Sequence, residues 1–366
     1  MYNVVVIGCG RISHKIAEGI AKNHDRMKIV ALCDPIEEKM FETEKTYNKK
    51  MQSEVSLLKY KNYKETLSQN KIDIAIISTE SGYHEEIGLH FLENGVNLII
   101  EKPLAMSIEG AQKLVDTAKK NNLKLAASHQ NRFNYPIQLL KKAIKENKLG
   151  KIFNGMARIL WTRDNNYYLQ APWRGTWTLD GGTLMNQCIH NIDLINWMMD
   201  DEIDTVYSQT SNYIRNIEAE DYGVIVIRYK SGKIATIEGS AVIYPKNLEE
   251  TLTITGEKGT VVIGGMAVNK INTWRVEGDN EEEYLSIDCG DPSSVYGYGH
   301  EALYKDFLDA LDENREPLVN GKAGLEAVKI ILAAYKSQKT GLPIKFNDFK
   351  EFSTLDMKDV NLKNYN

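Results

Sequence analysis

The segment VVVIGCGRISHKIAEGI sets Gly8 and Gly10 between an apolar run and an amphipathic one, in the pattern Gly8-x-Gly10-x-x-Ser13. Glycines at such a junction let the backbone turn tightly and approach a pyrophosphate, while the helix that follows presents N–H groups and the positive end of its dipole. Ser13 stands where a third glycine is common, a small change at a helix-to-strand packing position. A second apolar run ends in ALCDP, placing Asp34 where a carboxylate accepts the hydroxyls of an adenosine ribose and repels a 2′-phosphate. Together these signals predict a dinucleotide site that takes NAD in preference to NADP.

Further polar groups directly follow apolar runs. STESGYH brings Ser78 and Thr79 to the end of a predicted strand, and His84 either contacts the cofactor or caps the next helix. LIIEKPLAMS puts Glu101 and Lys102 at the end of another. Pro103 restrains Lys102 to extended backbone and permits a cis bond that would aim the ammonium. A lysine in a partly dry site donates to a substrate oxygen and gives up its proton readily. ASHQNRF carries Gln130, Asn131 and Arg132 to the same kind of edge. The aromatic stretch RDNNYYLQAPWRGTWTLDGG is long enough to bind rather than merely connect. In it Arg163 and Arg174 are candidate clamps for phosphate or carboxylate, with a surface salt bridge as the other reading of Arg163. Last comes GGTLMNQCIHNIDLINWM. Wound as one helix, it aligns Asn186, His190 and Asp193 beside an apolar stripe of Met185, Cys188, Ile189, Ile192 and Ile195. That row is either catalytic or built around a satisfied core histidine.

These residues require two kinds of scaffold. Short apolar runs at 4–7, 28–33, 72–78, 96–100 and 123–128 alternate with helical patterns such as 12–22 and 85–94. Such alternation predicts a parallel sheet covered by helices on both faces. After a helix over 135–147 the rhythm changes to β-rich runs at 151–162, 205–213, 222–229, 233–240, 251–255 and 260–263, many joined by Gly-containing turns. These predict an antiparallel sheet. Helices near 183–199, 300–311 and 324–340 would cover one face and leave the other open for self-association. The expected class is α/β: a Rossmann domain at 1–128 and a substrate-binding and oligomerisation α+β domain at 129–366, whose C-terminal helices are able to pack back on the first.

At 366 residues the chain exceeds the roughly 250–300 residues at which single cores stop growing. A net charge of −5 provides no basic field for nucleic acid. No run approaches the roughly 20 apolar residues of a membrane span, and the first residues enter a strand without a signal-like segment, so a cytoplasmic protein is expected. Cys9, Cys33, Cys188 and Cys289 form no CxxC pair, and no histidine spacing suggests a metal.

Taken in order, GCGRIS, CDP, STESGYH, EKPL, WRGTW, GGTLMNQCIHNID and GYGHEALYKDFLDAL span nearly the whole chain and resemble the Gfo/Idh/MocA oxidoreductases. Within that family, APWRGTWTLDGGTLMNQCIHNIDL is similar to the sugar-nucleotide branch that oxidises C3 of UDP-N-acetylglucosaminuronate in surface polysaccharide biosynthesis. The resemblance implies an N-terminal Rossmann domain, a C-terminal domain with an open sheet, and NAD. It implies Lys102 and His190 as the catalytic pair, and a cofactor held by Gly8, Gly10, Arg11, Ile12, Asp34, Ser78, Thr79, His84, Glu101, Lys102, Gln130, Trp173 and Arg174. Substrate would meet Lys102, Arg163, Tyr168, Arg174, Asn186, Gln187, His190 and Tyr298. Many members carry an aspartate where this chain has Asn186. An amide there suits a sugar hydroxyl or acetamido group, a difference the sugar-nucleotide branch shares. Histidine, with an unperturbed pKa of about 6.5, suits the base. The expected function is therefore NAD-dependent oxidation of a nucleotide-sugar hydroxyl by a homodimer or homotetramer. The alternatives are oxidation of a free sugar or inositol, an NAD-dependent glycosidase, or a regulatory protein that has lost activity.

Overall fold

Runs of Val and Ile that are apolar on successive residues become β1 (Tyr2–Ile7), β2 (Met27–Cys33), β3 (Leu58–Tyr60), β4 (Ile74–Ile77), β5 (Asn97–Ile100) and β6 (Leu125–Ala127). The computed structural model describes residues 1–68, 71–290, 297 and 299–363. The six strands pair in the order β3-β2-β1-β4-β5-β6, all parallel. Val4 to Val6 and Ile74–Ile77 have no exposed surface, as expected for strands covered on both faces. Helices α1 (Ser13–Lys22), α2 (Glu37–Met51), α3 (His84–Glu93) and α4 (Ile108–Lys120) lie in the connections. The strand order reverses beside β1, the switch point at whose carboxyl edge open α/β sheets bind ligands. The edge strand β3 escaped the sequence reading because Leu-Lys-Tyr is too short to show a pattern.

The second sheet contains β7 (Ile152–Leu160), β8 (Ile203–Ser211), β9 (Tyr222–Tyr229), β10 (Ile234–Ser240), β11 (Glu249–Gly256), β12 (Gly259–Gly264), β13 (Lys270–Val276) and β14 (Ile344–Lys345). Its order is β13-β12-β11-β7-β10-β9-β8-β14. Only β7 and β10 run parallel; the other neighbours are antiparallel. Its helices and those that follow are α5 (Tyr135–Lys145), α6 (Asn165–Leu169), α7 (Thr183–Asn186), α8 (Ile189–Met199), α9 (Glu281–Leu285), α10 (Gly299–Asp312) and α11 (Gly321–Thr340). Alternation along β7, β9, β10 and β11 sends Ala157, Ile225, Ile237 and Leu252 under α7 and α8. The opposite face is half-exposed and carries Met156, Thr236 and Val226 side by side. On it Arg158 also bridges Glu238 and Glu249 at 3.1 and 2.9 Å.

Two compact units result: Met1–Met106 with Gly110–His129 and His300–Leu325, and Ser107–Glu109 with Gln130–Gly299 and Glu326–Asn366. The 300–325 stretch belongs with the parallel sheet's unit, the packing-back of C-terminal helices that the sequence allowed, and the helix over 300–311 is not a cover of the second sheet. The reason is side-chain complementarity: Arg26 bridges Asp309 and Asp312 at 2.6 and 2.7 Å, and Gly19 leaves room for the Tyr304 ring.

Candidate active site

In the first unit the turn after β1 holds Gly8 at φ +90°, and a Cβ there would stand 2.6 Å from the Ser78 carbonyl carbon. Ser78 Oγ donates to Gly8 O at 2.7 Å, tying the ends of β1 and β4 together. Around Gly10 nothing lies within 4 Å of where a Cβ would be, so the turn is open on the side a pyrophosphate would approach. Arg11 and Ile12 lead into α1. Ser13 turns inward, donating to Gly10 O and accepting from Thr43 Oγ1, an inward role that suits its small size. The Asp34 carboxylate is buried and accepts N–H groups from Cys9 at 2.8 Å and Ile36 at 2.9 Å. These bonds fix its direction and leave lone pairs for ribose hydroxyls. The open glycine turn and the braced carboxylate fit a dinucleotide.

His84 sits between two loops of this edge. Nδ1 is 2.8 Å from Pro103 O and Nε2 is 3.2 Å from Thr79 O. Burial holds its pKa below the ordinary histidine value, against the pull of both carbonyls. The ring thus braces the loops after β4 and β5. Glu101 is buried and lies 3.7 Å from His300 Nε2. Burial pushes its carboxyl up, but His300, Lys102 and Ser128 outweigh this and hold it below the usual range. Lys102 remains half-buried between buried Glu101 and Pro103, and the Lys102–Pro103 peptide is cis. His300 was not singled out by sequence reasoning; the GHE of the distal segment was its only signal.

In the second unit the aromatic stretch folds into a ladder. The Arg163 guanidinium lies 4.5 Å from the Trp161 ring and 5.3 Å from Tyr167; Arg174 lies 4.4 Å from Tyr167 and 4.6 Å from Trp173. Stacking on rings holds both cations without consuming their charge. Arg163 donates to Thr162 O at 2.7 Å and forms no salt bridge among the described residues. Tyr167, missed in the sequence because nothing set it apart from Tyr168, is the hub. Its hydroxyl accepts from Arg174 Nη1 at 2.7 Å and Gln187 Nε2 at 3.3 Å. The Tyr168 phenol is pushed up by burial, with Tyr167, Asp180, Asp221 and Glu220 adding to the shift. Gln130 is buried, and its Oε1 has no hydrogen-bond partner among the described residues.

The predicted continuous helix over 183–199 is two helices. Cys188 N–H reaches back to Thr183 O at 3.0 Å, a wide turn that separates α7 from α8. Its polar row also divides. Asp193 receives Nε and Nη2 of Arg132 at 2.7 and 2.6 Å in a buried bidentate pair, so neither residue belongs to a ligand-facing edge. Asn186 donates its Nδ2 to buried Asp180, which also accepts Gly175 N–H at 2.7 Å. The carboxylate expected at position 186 in much of the family thus stands behind the amide. Across residues 180–195, Asn186 and His190 alone are partly exposed. Tyr298 lies outside the described residues. Among the described residues no group of three or more His, Cys, Asp or Glu is arranged for a metal ion, and no helix is long and apolar enough to cross a membrane.

A Rossmann turn with a braced carboxylate defines a dinucleotide-binding protein. The profile of the oxidoreductase family's NAD-binding Rossmann fold matches residues 2–129, and that of its C-terminal alpha/beta domain matches 141–346. The chain belongs to the Gfo/Idh/MocA oxidoreductase family. It is similar to the WlbA dehydrogenase from Bordetella pertussis, whose crystal structure contains NADH and UDP-GlcNAcA: TM-score 0.83, 32% identity, 94% of this chain and 98% of that one. It is also similar to the myo-inositol 2-dehydrogenase of Thermotoga maritima, at 23% identity over 94% of this chain and 98% of the relative. The scyllo-inositol 2-dehydrogenase of Bacillus subtilis is 22% identical over 93% and 95%. The family is one of NAD-dependent sugar and polyol dehydrogenases.

Proposed function

We propose that the protein oxidises a hydroxyl of a nucleotide sugar, namely C3 of a UDP-N-acetylhexosamine uronate, in surface polysaccharide biosynthesis in the cytoplasm. The observation that carries this reading is the Trp161–Arg163–Tyr167–Arg174–Trp173 ladder, two ring-held cations of the kind that phosphates and a carboxylate require. The 32% identity to WlbA supports it. When bound, NAD supplies the hydride acceptor. Gly8, Gly10, Arg11, Ile12 and Asp34 hold the dinucleotide, with Ser78, Thr79, Glu101, Gln130, Trp173 and Arg174 as its other partners and His84 holding the Thr79 and Pro103 loops behind them. His190 accepts the proton of the substrate hydroxyl, and Lys102 stabilises the developing alkoxide as a fixed positive charge. Asn186, its amide nitrogen held by Asp180, offers Oδ1 to a hydroxyl or acetamido N–H; Gln187, Tyr168 and Tyr298 complete the substrate contacts. The protein acts as a homodimer or homotetramer through the open face of the second sheet.

Incubation with NAD and a panel of UDP-sugars, followed by NADH absorbance and product mass, tests the reading. A product two hydrogens lighter than a UDP-N-acetylhexosamine uronate is expected. Turnover of inositol or free sugars alone would overturn it in favour of the polyol reading, which the two inositol dehydrogenase relatives support.

A further inference from the structure

Glu220, in the loop before β9, is fully buried and holds the first turn of α7 at two points and Tyr335 of α11 at a third. Its backbone O accepts Thr183 N–H at 3.0 Å, and its Oε1 accepts Leu184 N–H at 2.8 Å and the Tyr335 hydroxyl at 3.0 Å. Tyr335 in turn receives Gly182 N–H at 3.3 Å. Only glycine fits at position 182, because a Cβ would lie 1.8 Å from Glu220 Oε2. That oxygen is buried and takes no hydrogen bond among the described residues, which is costly for a carboxylate and much less so for a neutral acid. At the other end of the same short segment Asp180 holds Asn186. The stretch that presents Asn186 and His190 is therefore pinned at both ends by buried acids.

We propose that Glu220 is a positioning residue that sets the placement of Asn186 and His190, and that it does so as the neutral acid. The inference rests on the reading that these two residues meet the substrate. The groups facing the carboxyl are Tyr335 from α11, adjacent Asp221, the Leu184 N–H of α7 and Tyr168 from the aromatic stretch, with Cys188 beside Tyr335. Burial pushes the Glu220 carboxyl up to about 8, and Asp221 adds to the rise. Loss of the proton puts a charge next to Asp221 with no donor for Oε2, so the first turn of α7 loosens.

The test compares wild type with Glu220→Gln, which keeps an acceptor and has no proton to lose, and with Glu220→Leu, which has neither. Two quantities are followed from about pH 6 to about pH 9.5: kcat with NAD and UDP-N-acetylglucosaminuronate, and deuterium uptake over residues 180–190. Above about pH 8 the wild type loses kcat and protection relative to Glu220→Gln at the same pH. Glu220→Leu loses kcat by about 10²-fold, with KM for NAD unchanged. Identical pH profiles in wild type and Glu220→Gln, or equal loss in the Gln and Leu variants, overturn the proposal. If the wild type turns over no UDP-sugar, the uptake curves decide: separate curves retain the Glu220 lock and reject only the substrate reading, while superimposed curves reject the lock.

Discussion

His190 stands out because its immediate neighbours Ile189, Asn191 and Ile192 are buried while it stays partly exposed. Lys102 is exceptional in the same way, half-exposed between two buried residues. A titrating ring and a fixed cation suit the two roles in removing a hydroxyl proton, one accepting it and the other stabilising the charge left behind. His190→Ala and Lys102→Ala should each lower kcat by about 10²–10⁴-fold while leaving the affinity for NADH, followed by fluorescence titration, within a few-fold. Near-normal kcat in either folded variant would remove that residue from the chemistry. Asn186 shows how a single position is reinterpreted by its surroundings. Its type suggested a neutral contact to sugar, and its place against Asp180 adds a carboxyl group that no reading of position 186 alone contained.

At the scale of elements, α8 is positioned by a buried ion pair and by small residues beneath it. Gly155 admits Ile195 and Met199, and Gly239 admits Cys188, so the helix lies directly on the sheet. Arg132 and Asp193 then join α8 to the segment before α5, with the Trp197 ring 4.9 Å from the guanidinium. Removing one partner leaves the other charge buried and uncompensated. Arg132→Met or Asp193→Leu should therefore lower unfolding free energy in urea by about 3–5 kcal/mol, whereas the double substitution should recover most of that loss. A loss under about 1 kcal/mol in both single variants would mean that the pair contributes little to holding α8.

For the whole molecule, two buried acids link stability to pH. Burial pushes Glu250 up to about 8, against Asn191 and Arg163, as it does Glu220. Unfolded, both carboxyls ionise near the ordinary value; folded, both stay protonated until about pH 8. Over that window the folded chain binds more protons, so these groups stabilise it most at the acidic end and the contribution disappears as pH rises through about 8. Thermal melts at about pH 5.5 and about pH 7.5 should show a fall in Tm that Glu250→Gln reduces and Glu220→Gln with Glu250→Gln reduces further. Unchanged slopes in the double variant would show that the carboxyls are ionised throughout. The open face of the second sheet predicts association: Met156→Glu with Val226→Glu should shift the mass from light scattering toward one chain, and an unchanged oligomer would place the contact elsewhere.

The fold class and the cofactor were legible in the sequence because local physics writes them there. Continuous Val/Ile runs mean doubly covered parallel strands, alternation means a sheet with one open face, and a glycine turn followed by a carboxylate after the next strand means NAD. β3 was invisible because three residues carry no period, and the boundary of the units was blurred because α10 belongs by charge pairing to residues nearly 300 positions away. Near the site, tertiary structure alone decided which polar residues serve the fold. Arg132 and Asp193, and Glu220 and Gly182, find one another across chain separations that no helical or strand repeat spans, and Asn186 meets Asp180 through the turn that leads into α7. Burial then determines which of them must be paired, neutral or charged.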